Sequence, residues 1–515
     1  MKIFLRKNST LLTTLLIVVI FLVAASRGMS TQDFYITLLR SLSTGSVVFL
    51  VASGFSLIFG LLDVLNLAHG TLYMIGAYIG WTVMVRPDTF VDLIAPVALL
   101  LTGLTLSGLW RQVTGRINLS HLARRLISWG MIAAGIILAV VILNNYPIAM
   151  WDLDNYAKGP VTFSFFADQG MRMPLEHLGF EKFSPVLAVI GFLFASALFG
   201  GGIALLGSDT RMQSNLNWKN FVLFALLIAV ASLCIVFNTP LTEWLVKIDS
   251  TWLFLIAIVV AVASGFGLGA AMETTLIRPL YNRPIYQLML TLGLSAIGVE
   301  MVQAIWGRPG FIMPRPSIVK SSGEGCPATS LSAWWQNHCS TVQFFDGRIR
   351  VYDEILIPLL GIIVLVAVWL LLKRTRIGMI IRAGVQDRSM VEALGINVRR
   401  VFTLVFALGV GLATFGGILA APSSGLNAGM GATLLTSALI ALAIGGLTSY
   451  PGAALGSLLV GLVQQFIIKY GQIGIELPFT DIIFKPSPPL VPASTVLLMV
   501  IVLLFLPGGI MGKKD

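Results

Sequence analysis

Residues 47–85 read VVFLVASGFSLIFGLLDVLNLAHGTLYMIGAYIGWTVMV, an apolar stretch interrupted only around Asp63 to Gly70. As one continuous helix it would run about 58 Å, roughly twice the thickness of a hydrocarbon core. The helix must therefore break, and Asp63, Asn66, His69 and Gly70 mark the place. Backbone freed by a break cannot face lipid, because each unpaired amide costs several kcal/mol there; it must be buried in protein or line a wet cavity. Broken helices in polytopic proteins are where solute sites tend to lie.

The rest of the chain fits a membrane setting. It is 57% hydrophobic and 11% charged over 515 residues, against about a quarter charged in soluble domains. The net charge of +11 is carried by Lys and Arg in short segments between apolar runs, which is how membrane topology is written and argues against a nucleic-acid partner. Apolar runs fall near 11–25, 36–62, 71–85, 92–110, 126–146, 184–206, 220–237, 251–272, 287–306, 354–372, 401–421, 432–446, 452–469 and 491–507. We expect an all-α polytopic integral membrane protein with about 12–14 transmembrane segments, two of them broken, in one membrane domain spanning 1–515. The run 11–25, preceded by Lys2, Arg6 and Lys7, fits a signal peptide or a first span, and we read it as an uncleaved span.

With the N-terminus inside, the inner segments collect Arg111, Arg116, Arg124, Arg125, Arg211, Lys219, Arg278, Arg283, the cluster from Lys373 to Arg400, Lys513 and Lys514. The mixed-charge loops 147–183 and 307–353 fall outside. One short outer loop, 86–91 with Arg86, breaks the positive-inside pattern. Cys326 and Cys339 share the outer loop 307–353 and form a candidate disulfide, since an oxidising compartment permits one. Cys234 lies in an apolar run and reads as a packing residue.

Residues 432–469 repeat the opening grammar: an apolar segment, a break at Gly445 to Gly452 and a second apolar segment. Two interrupted spans in corresponding halves point to a transport route. Helices restarting near Thr71 and Ala453 would aim partly positive N-termini into the interior. The candidate lining residues are Asn66, His69, Gly70 and Tyr73 from the first break and Gly446, Ser449 and Pro451 from the second. Asn66 and His69 have a second reading, in which they only satisfy amides left free by the break. Asp63 reads as a cap or a proton-relay acid, and Glu300 as a snorkelling residue near the outer end of its run. Small residues spaced by four, Gly76/Gly80, Gly265/Gly269 and Gly452/Gly456, read as internal packing faces.

On the inner side, KRTRIGMIIRAGVQDRSMVEALGINVRR begins at Lys373. Met390, Val391 and Leu394 suggest an apolar stripe on a short helix that Gly395 ends, with Asp387, Arg388 and Glu392 pointing elsewhere. The stripe is too narrow for strong lipid binding and suits a groove in a soluble partner. No G-x-x-x-x-G-K-[ST] occurs, so any ATP must be hydrolysed by another subunit. The four histidines, at 69, 121, 177 and 338, lack ligand spacing; no metal, cofactor or catalytic cluster is expected.

The segment GLLDVLNLAHGTLYMIGAY (60–78) resembles the G-x-x-N-F/L-A-H-G-x-x-y-M-x-G-A-Y signature of inner-membrane permeases of branched-chain amino acid ABC importers. RPLYNRP (278–284), RAGVQDRSMVEALGINVRRV (382–401), FGGILAAP (415–422) and IGGLTSYPGAALGSLLVGL (444–462) are similar to the same family in the same order. The resemblance implies a translocation subunit, not an enzyme, multi-pass in the cell inner membrane and surrounded by lipid. It implies a second homologous permease subunit, two cytoplasmic ATPase subunits and a periplasmic or extracellular substrate-binding protein. Asp387, Arg388, Glu392, Ala393 and Gly395 would fall in the loop that docks on the ATPase. The permease motifs cover about 36–85 and 251–510, leaving additional spans and loops in about 90–250. Urea and short-amide importers share these motifs, and an ion-coupled secondary transporter using Asp63, His69 or Glu300 is the competing class.

Overall fold

A computed structural model of the chain describes residues 19, 22, 23, 25, 26, 28–115, 120–175, 179, 180, 184–206, 218–345, 347–386, 388–476 and 483–512. Most of the expected first span, with Lys2, Arg6 and Lys7, lies outside the described residues, as do Asp387, His177, Arg116, Arg211, Lys513 and Lys514. In chain order the helices are α1 Thr31–Leu62, α2 His69–Val85, α3 Pro87–Thr105, α4 Ser107–Gly115, α5 His121–Asn145, α6 Pro160–Asp168, α7 Pro185–Leu206, α8 Trp218–Val236, α9 Asn238–Lys247 and α10 Ser250–Met272. They continue as α11 Pro284–Trp306, α12 Leu331–Asn337, α13 Ile357–Arg374, α14 Arg376–Gln386, α15 Arg388–Ala393, α16 Val398–Ser424, α17 Met430–Gly445, α18 Tyr450–Ile473 and α19 Leu490–Phe505. There are also two small antiparallel strand pairs among the described residues, β1 Thr341–Phe344 with β2 Gly347–Arg350 and β3 Ile475–Glu476 with β4 Ile483–Phe484. Among the described residues, 10 helices are long and apolar enough to cross a membrane, and α17 and α19 are shorter apolar helices. The chain is an all-α polytopic membrane protein with both expected breaks present, between α1 and α2 and between α17 and α18.

The chain forms two compact units, Met1–Met84 with Asp249–Asp515, and Val85–Ile248. In the first unit α1 and α16 are central: 72% and 78% of their most apolar windows are buried, more than in any other candidate span. Glycine lets backbones meet there. Gly54 faces the Gly409 carbonyl, Gly45 and Gly461 seat α1 on α18, and Gly76 and Gly80 seat α2 on Thr414 and Ile418 of α16. Gly265 and Gly269 carry α10 against Thr414, Ala407 and Val410, and Gly452 and Gly456 carry α18 against Gly445 and Ala441. All three spaced pairs are thus internal packing faces, where close van der Waals contact joins helices that hydrophobicity alone cannot hold together in lipid. In the segment 307–353 Cys326 and Cys339 are disulfide-bonded.

The helix starts differ from the sequence expectation by a few residues. α2 begins at His69 rather than near Thr71, because the Asn66 side chain already organises the turn by accepting the Ala68 amide at 3.2 Å. α18 begins at Tyr450 rather than near Ala453: the Ser449 side chain accepts the Gly452 amide at 3.2 Å, and Pro451 is tolerated in the first turn, where its missing N–H is not needed.

In the second unit α3, α5 and α7 pack through Gly103, Gly135, Gly191, Gly200 and Gly202. The one charge that broke the positive-inside pattern is not a solvent-facing loop charge. Arg86 is buried, with its Nε and Nη2 on the Asp88 carboxylate at 2.9 and 2.7 Å and Nη2 also on the Ala149 carbonyl at 3.1 Å. Its guanidinium lies 4.4 Å from the Phe163 ring centroid and 5.6 Å from that of Trp151. Asp92, also buried, accepts the Ala149 amide and the Asn238 side-chain amide at 2.8 and 2.7 Å. Removing one partner of a buried ion pair strands the other charge. Arg86→Leu should therefore destabilise the protein by about 3–5 kcal/mol, and the double change with Asp88→Leu by clearly less. Thermal unfolding of the purified variants in detergent checks the ordering.

Candidate translocation site

α1 ends at Leu62, and Asp63 follows in the left-handed region, φ 52°, with its amide on the Phe59 carbonyl. Residues 63–68 then fold back, so that α2 starts alongside α1 instead of beyond its end: the His69 imidazole meets the Phe55 ring edge-on at 5.9 Å and stands against Gly54. The freed backbone is paired from inside the protein, as burial away from water requires. The Leu67 amide donates to Thr291 Oγ1 at 3.3 Å, and the Thr291 hydroxyl reaches the Leu65 carbonyl at 3.4 Å. The His69 amide takes the Asn66 carbonyl at 3.2 Å, and Thr71 Oγ1 pairs with Ser295 Oγ at 2.6 Å.

Asn66, His69, Gly70 and Tyr73 are all buried. They are only partly satisfied. Asn66 Oδ1 serves the Ala68 amide, as the capping reading expects, but Asn66 Nδ2 and both His69 ring nitrogens have no hydrogen-bond partner among the described residues. Val51 offers its carbonyl to the imidazole, yet neither nitrogen reaches hydrogen-bond geometry. Unpaired buried polar groups are rare in native proteins, and such a cluster is suited to a polar guest or to water.

A second helix start converges on the same place. Gly70 packs against Gly431 so closely that a Cβ on either would strike the other's carbonyl oxygen, which brings the first turns of α2 and α17 together. Both starts carry partial positive charge. Gly54, Gly409 and Gly431 form part of this surround and were not singled out from sequence. Their neighbours lie in distant segments, and a lone glycine in an apolar run gives no signal of which backbone it will touch. Thr291 and Ser295 were missed for the same reason.

The second break sits elsewhere on α1. Ser56 Oγ donates to the Leu447 carbonyl at 3.2 Å, and Gly60 faces Thr448. At about 100° per residue, Ser56 and Gly60 lie on the opposite face of α1 from Gly54 and Phe55. Gly446, φ 106°, packs on Gly509 and Gly512, Ser449 caps α18, and Pro451 is exposed. The C-terminal segment holds this end of α17, with the Ile510 and Met511 amides on the Ile444 and Gly445 carbonyls at 2.8 and 3.0 Å. The structure therefore brings Asn66, His69, Gly70 and Tyr73 together and keeps Gly446, Ser449 and Pro451 as a separate group. Asp63 and Glu300 are exposed.

In the segment 373–400, α14 and α15 precede Gly395, which adopts φ 80° just past the end of the helix. The expected stripe of Met390, Val391 and Leu394 does not share one face. Val391 is buried against Val398 and Phe402, whereas Met390 and Leu394 are 64% and 74% exposed. Adjacent helical residues diverge by about 100°, and Leu394 lies past the last helical turn, so one face cannot hold all three. Glu392, Ala393 and Gly395 are exposed beside them; Arg388 begins α15, and Asp387 is outside the described residues.

The model of a family described as branched-chain amino acid transport system / permease component matches residues 241–507, more than half of the chain. The high-affinity branched-chain amino acid transport system permease protein BraD of Pseudomonas aeruginosa is 31% identical over 171 residues, 33% of this chain and 51% of that protein. The chain thus spans about half the length of this relative. The corresponding permease protein LivH of Escherichia coli K12 is 26% identical over 275 residues, 52% of this chain and 78% of that protein. A probable branched-chain amino acid transport permease protein LivH of Methanocaldococcus jannaschii is 28% identical over 109 residues, 21% and 35% of the two chains. No solved structure matches the chain. With its helical breaks, its buried polar cluster and this match in hand, the chain belongs to the family of permease components of branched-chain amino acid transport systems.

Proposed function

We propose that the chain is the transmembrane permease subunit of an ATP-binding-cassette importer that moves branched-chain or other neutral amino acids across the cell inner membrane by alternating access. The observation that carries the reading is the buried cluster of unpaired polar atoms on Asn66 and His69, set where the starts of α2 and α17 meet. A zwitterionic solute suits such a place. Its carboxylate is favoured by two helix N-termini and by the Asn66 amide N–H groups, and its ammonium by an imidazole nitrogen of His69. Asn66, His69, Gly70 and Tyr73 line the route. Gly446, Ser449 and Pro451, across α1, belong to it through movement of α17 and α18. Met1–Met84 and Asp249–Asp515 carry this machinery, and Val85–Ile248 is an addition to it within the same membrane protein.

The partners in this reading are a second homologous permease, two ATPases that grip the inner loop around Glu392, and a binding protein outside. Most of the solute affinity resides in the binding protein, since a ligand shifts a two-state permease only by its difference in affinity for the two states. Asp63 and Glu300, two of the groups an ion-coupled mechanism would use, are exposed. Urea or a short amide is the alternative cargo, and competition between leucine, urea and acetamide for uptake separates these.

Three results check the reading. Converting Asn66 and His69 together to Ala should lower uptake about tenfold or more, the loss expected for one or two hydrogen bonds to a polar solute, with the protein still assembled. Unchanged uptake and unchanged solute preference would remove both residues from the route. Gly70→Ala should drive α2 and α17 apart and abolish uptake, while Gly267→Ala, at an open position, should leave it intact. Uptake that survives ATP depletion and collapses with the proton gradient would reject the importer mechanism.

A further inference from the structure

Two packed clusters in the first unit share members. α15 contributes Val391 to one, with Val398 and Phe402 of α16, and Leu62 and Tyr281 pack against it. Leu62 and Tyr281 also pack against a second cluster. In that cluster Val64 and Ala68 of the first break and Leu72 of α2 are buried with Met272, Ile277 and Phe406. Leu62 is the last residue of α1 before the break, and Tyr281 lies in the turn between α10 and α11. A contiguous apolar path therefore runs from the inner-loop helix to the residues just before His69.

The turn that carries Tyr281 is fastened by a buried carboxylate. α10 passes into one π-helical segment, Glu273–Ile277, and Glu273 is fully buried at its start. Glu273 Oε1 accepts from Arg278 Nε at 3.1 Å and from the Tyr281 hydroxyl at 2.6 Å. Oε2 accepts from Arg278 Nη2 and from Thr403 Oγ1, both at 2.7 Å. Thr403 belongs to α16, one residue past Phe402, against whose ring Tyr281 stands edge-on at 6.2 Å. Thus one carboxylate binds the end of α10, the turn and the beginning of α16 together. π-helical segments are uncommon and cluster at functional places. Four donors on one buried carboxylate, two of them from a guanidinium, make a stiff joint.

We propose that Glu273 and Tyr281 are positioning residues for transport. They clamp the α10–α11 turn to α16, so that a displacement of α15 is delivered through Leu62 and Tyr281 to residues 63–68 instead of being absorbed by a loose turn. Packed elements of this kind switch between discrete arrangements and do not deform continuously, so the clamp decides whether movement at Val391 reaches His69. The proposal rests on the importer reading above, in which α15 is the element that the ATPase moves.

The test measures solute imported per ATP hydrolysed in vesicles holding the full permease with its ATPases and binding protein. Tyr281→Phe keeps the ring against Phe402 and removes only the hydroxyl; Glu273→Gln keeps the shape and removes the charge. Both should retain binding-protein-stimulated ATP hydrolysis while solute per ATP falls about tenfold, the scale of one charge-assisted hydrogen bond. Where Glu273→Gln fails to assemble, Tyr281→Phe and Thr403→Val decide. A wild-type ratio in the variants overturns the proposal, as does a proportional loss of hydrolysis and uptake. Uptake by the wild-type permease without any ATPase would instead reject the importer reading beneath it.

Discussion

The structure depends on backbone meeting backbone. Gly54 against Gly409 and Gly70 against Gly431 are contacts that no side chain could share, since a Cβ at any of the four would overlap a carbonyl or press on the imidazole. In lipid the apolar faces of helices gain little by leaving one hydrocarbon for another, so close packing and internal hydrogen bonds decide which helices associate. Around α1 and α16 that packing is tight enough to enclose a segment of non-helical chain. The broken segment in turn places an imidazole and a carboxamide where neither lipid nor bulk water reaches them.

That enclosure explains why the polar residues of the first break are only partly used up by the break itself. A fold-back of 63–68 frees backbone groups that must be paired locally, and Asn66 Oδ1, Thr291 and the Asn66 carbonyl do so. What is left over, Asn66 Nδ2 and the His69 nitrogens, is the part that packing does not consume. The second break has a different economy of partners. Ser449, Ser56 and the amides of Ile510 and Met511 satisfy its groups, so it reads as a joint between α17 and α18 more than as a pocket.

The unit Val85–Ile248 obeys the same physics with different pieces. Its glycine contacts bring α3, α5 and α7 together, Arg86 pairs with Asp88 and reaches the Ala149 carbonyl, and Asp92 accepts the Ala149 amide. The buried arginine lies between a carboxylate and two aromatic rings, so the charge that looked anomalous for topology is placed inside the unit.

Much of this was legible in the sequence because membrane burial is unforgiving. An apolar run too long for one crossing had to break at its polar residues, and glycines spaced by four had to be packing faces. The order of motifs from Gly60 to Leu462 carried the family. The end of α15 was likewise readable from Gly395, since a residue without Cβ takes the left-handed turn most easily. Only the tertiary structure decided which glycine meets which, that Val391 turns inward while Met390 and Leu394 turn out, and that the two breaks lie on opposite faces of α1. It also decided that Glu273 is shared by three elements. These are relations between segments hundreds of residues apart, and periodicity along one segment carries no information about its partner; contact between distant backbones is settled by packing alone.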